Sequence, residues 1–220
     1  MRHWASAFLA VSLLGVPALA QDQYGSPVPL ISSFYSPSGI KLRTAMRRLC
    51  DDDAVYSRNL IISTLADLPD QQSVMDRLLR NRSDIANASK PYYGDAAGDR
   101  FAGLLRDNAA ITLEMIRAAK AGDQAAVAVA QQKWRASATD LGTFLNSQNA
   151  ANWPSIGLAV MLQKYLDLTA GEVTARLDHN WAADIKSFDN AQTQILLFAD
   201  NIVEGIIRQY PDKFPGMKVT

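Results

Sequence analysis

Residues 104–116, LLRDNAAITLEMI, decide the fold. Wound at 3.6 residues per turn, Phe101, Leu104, Leu105, Ile111, Thr112, Met115 and Ala119 fall on one apolar stripe, with Asn108 at its centre. No period-two alternation competes with that spacing, so the segment reads as an amphipathic helix over about 96–121. Asn108 raises the functional question, because an amide in the middle of a buried face needs a partner there.

Moving outward from this helix, apolar residues recur at three and four from Ile40 onward. The spacing predicts helices at about 40–68, 71–92 (broken near 81–83), 96–121, 123–149, 155–168 and 170–209. The punctuation agrees. LPD at 68–70 stops the first helix and offers Asp70 as the next cap; KPYYG ends the second. AGD at 121–123 makes a tight turn, with Gly122 as terminator and Asp123 as cap. Pro154 sits near the first turn of the fifth helix, where its missing N–H costs nothing. TAGE at 169–172 has the form of a capping box through Thr169 and Glu172. The last helix would then run about 60 Å and serve as a spine. Short turns favour antiparallel neighbours, so the expectation is an all-α, up-and-down bundle of four long helices with two shorter flanking helices.

The chain of 220 residues is 48% hydrophobic and 20% charged, enough apolar material for one packed core. Its first twenty residues read as a signal peptide: Arg2 and His3, an apolar run at 5–16, then PALAQ with small residues Ala18 and Ala20. Cleavage between Ala20 and Gln21 is expected, which places the protein in the periplasm or outside the cell. The apolar run falls short of the roughly 20 residues that span a bilayer, and no later stripe is free of charge. The expected layout is signal peptide 1–20, extended arm 21–38 rich in proline and aromatics, a single helical-bundle domain 39–214, and a tail 215–220. Losing Arg2 with the signal leaves 21 Lys and Arg against 22 Asp and Glu, a balance that gives no footprint for nucleic acid. The basic clusters LRTAMRRL and DRLLRNR read as solvated helix faces, and the lone Cys50 as a buried thiol.

Catalytic readings lack parts. After the signal the chain holds one histidine, His179, and three glutamates, Glu114, Glu172 and Glu204, too few for a di-iron carboxylate bundle. Haem-attachment, zinc-pair and phosphate-loop patterns are also missing. His179 falls opposite the stripe of Trp181, Ile185 and Phe188 and reads as a solvated side chain. The expectation is a protein with no catalytic residues, no cofactor and no metal ligands.

Asn108 has counterparts. Asp53 is centred on the stripe Leu42, Met46, Leu49, Cys50, Leu60 and Thr64; Gln192 is centred among Trp181, Ile185, Phe188, Ile195, Leu196, Ala199 and Val203. Antiparallel packing brings them to similar heights, where Asp53 can accept from the amides of Asn108 and Gln192, with Tyr165 of the fifth helix or a water beside them. Asp53, Asn108, Tyr165 and Gln192 are therefore the candidate binding residues. One reading makes the layer a structural network that sets helix register; the other makes it a ligand site in the bundle core.

The runs SRNLIISTLADLPD, RLLRN, KPYYGDAAG, LLRD, AAKAGD, KW, MLQKYLDLTAGEVTARL, WAADIKSFD and FADNIVEGIIRQYPDKF resemble a family of uncharacterised bacterial helical proteins. Members are sometimes labelled acetylglutamate kinase or glycosyltransferase, and nothing in these residues supports either activity. The resemblance covers nearly everything from Leu49 to Phe214. It implies a core histidine cluster able to bind metal, with histidine at Asp53 or its neighbour, Asn108, Tyr165 and Gln192; this chain departs at each position. The resulting expectation is an exported, non-catalytic bundle that meets an unknown protein or small-molecule partner, or alternatively a bundle that holds a small ligand or metal in its central layer.

Overall fold

The computed structural model describes residues 36–215. The signal peptide, the arm up to Tyr35 and the tail beyond Pro215 lie outside the described residues. Among the described residues the structure is all helical. It comprises α1 (Pro37–Leu65), α2 (Gln71–Asn87), the single turn α3 (Lys90–Tyr93), α4 (Asp95–Lys120), α5 (Gln124–Gln148), α6 (Ser155–Leu177) and α7 (Trp181–Gln209), followed by a 3₁₀ turn at Pro211–Lys213.

Each helix packs beside the next, and α7 returns to pack against α1, so α1, α2, α4, α5, α6 and α7 form a closed ring. Cross-helix contacts fix the directions. Arg77 meets Asp52 while Asn81 meets Leu49. Asn108 meets Ser137 while Thr112 meets Trp134. Gln194 meets Met161 while Arg176 meets Asp184. Rising numbers on one helix meet falling numbers on the next, so all neighbours are antiparallel. The fold is the up-and-down bundle expected, with α2 and α6 sitting in the ring between the long helices.

Local chemistry sets the boundaries. Ser36 caps α1 by accepting from the N–H of Gly39 at 3.2 Å, and Pro37 occupies the first turn, so the helix begins three residues earlier than the apolar pattern suggests. Gly122 adopts φ +71° and Asp123 accepts from Ala126 N at 2.9 Å, the turn read from AGD. Asp70 precedes α2 but its side chain makes no capping bond. No break occurs at 81–83: Asn81 Nδ2 donates to Leu49 O at 2.9 Å and Arg82 turns inward, so both polar residues are accommodated within a continuous helix. The interruption comes instead at Ala88 and Ser89.

The forty-residue spine is a misreading. Thr169 Oγ1 donates to Tyr165 O at 2.9 Å, a bond within a continuing helix, and Glu172 reaches Arg58 on α1, so TAGE caps nothing. α6 runs on to Leu177; the break lies at 178–180, where His179 takes φ +54° and Asn180 caps α7 through Ala183 N at 3.2 Å. His179 is therefore an exposed turn residue rather than part of a helix face. The stripe assigned to the start of α7 is not core either: Trp181 is 52% and Ile185 54% exposed.

The two ends of the bundle close differently. At one, Trp153 of the α5–α6 turn is buried against α7 and meets Tyr93, which in turn meets Tyr210, while Tyr92 stacks on Phe214. At the other, short turns join α1 to α2, α4 to α5 and α6 to α7. No helix among the described residues is long and apolar enough to cross a membrane.

Candidate functional site

The ring interior contains one polar layer, and five helices contribute a side chain each. Arg82 of α2 is its centre. Its Nε donates to Asp53 Oδ1 of α1 at 2.9 Å; its Nη1 donates to Asn108 Oδ1 of α4 at 3.0 Å and to Leu105 O at 2.8 Å. Tyr165 of α6 donates its hydroxyl to Asp53 Oδ2 at 3.3 Å, and Asn108 Nδ2 donates to Ser137 Oγ of α5 at 3.2 Å. All five side chains are buried. Asn108 also anchors a second line of bonds: Thr112 Oγ1 donates to its carbonyl at 2.9 Å and accepts from Trp134 Nε1 at 3.1 Å.

Arg82 is the reason an amide stands at position 108 of a buried face. A buried guanidinium is strongly unfavourable unless a counter-charge and acceptors surround it. Asp53 supplies the charge, while Asn108 and the Leu105 carbonyl supply further acceptors. Burial, reinforced by the neighbouring Asp53 charge, pushes the Tyr165 phenol well above its ordinary range, so it stands as a neutral donor to that carboxylate. Burial does the same to the thiol of Cys50, which lines the same interior.

Three of the four residues expected in the layer meet there: Asp53, Asn108 and Tyr165. Gln192 does not. Its Nε2 donates to Asp51 Oδ1 at 2.7 Å on the half-buried α1–α7 seam. The inward face of α7 at this height is Ala191, Ile195 and Phe198, so Gln192 points to the seam beside it. The direct bond from Asn108 to Asp53 is likewise replaced, since Arg82 stands between them. Arg82 lies in DRLLRNR, which the sequence alone presents as a solvated helix face. A signal was present: Leu78, Arg82 and Ala86 lie on one helix face, and Leu78 and Ala86 are fully buried.

Next to the layer lies a cavity of about 40 Å³ with apolar walls from Phe101, Leu141, Leu162 and Phe198. A second, of about 20 Å³, continues towards Trp153 and shares Cys50, Ile85, Phe101 and Phe198 with the first. Space of this size takes a few water molecules, whereas an aromatic ring needs roughly 150 Å³. Among the described residues no three His, Cys, Asp or Glu side chains converge as metal ligands would. On the outside, α5 and α6 flank a groove of about 330 Å³ edged by Ile156 and Val160, 79% and 46% exposed. Compared with protein-family models, curated proteins and solved structures, the chain matches none.

Proposed function

We propose that this protein is an exported, non-catalytic helical bundle of the periplasm or cell envelope that works by binding a partner protein through its surface. The central layer then serves to fix helix register. The observation that carries this reading is the closure of the layer on itself. Arg82 is charge-balanced by Asp53, both the oxygen and the nitrogen of the Asn108 amide are hydrogen-bonded, and Tyr165 is turned onto Asp53. A site built to hold a ligand keeps convergent polar groups directed at open space, and here those groups are directed at one another. The exposed apolar edge of the α5–α6 groove supports an outward-facing role, and the signal-like leader supports export.

The competing reading keeps a small ligand or metal in the layer, and it draws on the cavity that Arg82 and Tyr165 border. Under the family resemblance, Asp53 or its neighbour, Asn108, Tyr165 and Gln192 would stand where relatives carry histidine. The Arg82 guanidinium would then supply internally the positive charge that a metal bound to such a cluster would supply.

The test is affinity capture from envelope extract with three chains: wild type, a chain lacking residues 21–35, and Ile156→Asp with Val160→Asp. The proposal expects a specific captured protein that at least one altered chain loses. A captured set unchanged in both altered chains removes its support. A shift of the unfolding midpoint on adding Zn²⁺, Cu²⁺ or Fe²⁺, or a chelator, would favour the layer as a binding site instead.

A further inference from the structure

At the end of the bundle away from Trp153, four charged side chains from three helices meet. Arg58 of α1 donates through Nη1 to Glu172 Oε1 on α6 at 2.6 Å and to Asp184 Oδ1 on α7 at 2.9 Å. Its Nη2 donates to Asp184 Oδ2 at 3.1 Å, and Arg176 of α6 donates to the same oxygen at 2.8 Å. Both carboxylates are buried, while each guanidinium keeps an edge in water. Arg58 also lies over the Phe188 ring at 4.8 Å and Arg176 over the Trp181 ring at 5.5 Å.

The donors are divided unequally. Asp184 receives three of these hydrogen bonds; Glu172 receives one, from a nitrogen it shares with Asp184. The charged and titratable groups that bear on Glu172 are Arg58 from α1, Asp184 from α7, and Arg176 and Tyr165 from α6 itself. Burial outweighs the two arginines and pushes its carboxyl up to about 7. A neutral Glu172 keeps the observed contact, because its carbonyl oxygen still accepts from Arg58.

The tie has a mechanical meaning. α1 and α6 are not neighbours in the ring; each flanks α7, and Arg58 joins them across its first turns. Those turns carry Trp181 and Ile185, two exposed apolar residues of this end.

We propose that this cluster is a proton-controlled clasp: neutral Glu172 holds the α1–α6–α7 junction shut, and its ionisation opens the first turns of α7 to water. Opening hydrates the carboxyl and returns it towards its ordinary value of 4.5, so the open form releases a proton that the closed form holds. The opening equilibrium is therefore flat below the ordinary glutamate range. It rises by up to about tenfold per pH unit from there to about 7 and levels off above.

The chain holds three glutamates, Glu114, Glu172 and Glu204, which makes the carboxyl directly observable by ¹³C labelling of glutamate Cδ. One resonance should titrate near 7 and vanish in Glu172→Gln. Amide exchange across residues 172–185, corrected for the intrinsic rate, should show more opening at about pH 7 than at about pH 5, by tenfold or more. Glu172→Gln keeps the acceptor oxygen and cannot ionise, so its protection should not change with pH. His179 lies beside this junction, its ring 5.3 Å from that of Trp181, and His179→Gln should leave the effect in place. A Glu172 carboxyl that titrates in the ordinary range overturns the clasp. So does wild-type protection that ignores pH, an unchanged dependence in Glu172→Gln, or its loss in His179→Gln. The wild-type readouts need no variant, so the clasp stays testable if Glu172→Gln does not fold.

Discussion

Trp153 lays its indole directly on the bare α-carbon of Gly205, and its Nε1 donates to Asn201 O one turn earlier on the same helix at 3.2 Å. Asn149 adds a bond from Nδ2 to Gly205 O at 2.9 Å, so the α5–α6 turn is held to α7 through this glycine. A Cβ at Gly205 would fall inside the indole, and Trp153 is too buried to move aside. Gly205→Ala should cost about 1–3 kcal/mol or more by overpacking. Gly103, with nothing near its missing Cβ and a helical backbone, should instead gain up to about 1 kcal/mol as Gly103→Ala. Denaturant titration of both variants reads the difference, and a stable Gly205→Ala would contradict the contact.

Removing the guanidinium from the polar layer strands a carboxylate. Arg82→Leu should destabilise by about 3–5 kcal/mol, the usual effect of leaving one partner of a buried ion pair. Asp53→Asn combined with Arg82→Leu should cost clearly less than the two single changes added together, since the stranded charge is gone. Gln192→Leu belongs to a different seam and should add to Asn108→Leu within about 0.3–0.5 kcal/mol. Additive behaviour for Asp53 and Arg82 would mean the pair does not form in solution.

Cys50 is enclosed, with its thiol pushed far up by burial. A thiol reagent acts on the thiolate, so labelling of the native protein should be more than about a hundredfold slower than in denaturant. The native rate should follow global unfolding and accelerate in Arg82→Leu. Rapid native labelling would show that the interior opens without unfolding.

His179 holds φ +54° in the α6–α7 turn, a conformation that glycine adopts without steric cost. His179→Gly should raise stability by up to about 1 kcal/mol, whereas Gly122→Ala, at φ +71°, should lower it by about as much. Thermal unfolding of the two variants compares them directly, and destabilisation by His179→Gly would show that the imidazole has a partner worth more than the strain.

Both the readings that hold and those that fail have physical causes. The stripe around Asn108 and the AGD turn were legible because each is local: a helical period, a glycine at positive φ, an aspartate cap. The end of α6 was not, because the residue at positive φ there is histidine, while TAGE upstream offered a better-looking start. That misplacement carried the apolar stripe of Trp181 and Ile185 into the core on paper. Asp53, Asn108 and Tyr165 could be read because each is a polar residue alone on an apolar face. Arg82 stands among other arginines, and the partners that make its burial favourable, Asp53 from α1 with Asn108 and the Leu105 carbonyl from α4, are distant in sequence. Glu172 shows the same limit: its partner Arg58 is 114 residues away.

The closed ring has a consequence for how the chain assembles. Five seams join helices that follow one another in sequence, so each can form as its second helix appears. The sixth, α1 against α7, joins residues as far apart as Arg43 and Asp200, separated by 157 positions, and it must wait. Until α7 arrives the chain is an open arc whose two edges show apolar surface. The seam that finally shuts it carries Arg43 and Arg47 on Asp200, Gln192 on Asp51, and Arg58 on Asp184. Charge acts at range and discriminates between partners, whereas a bare apolar edge attracts any other exposed apolar surface. Completion of the fold is thus entrusted to contacts that select the chain's own last helix over a stranger's.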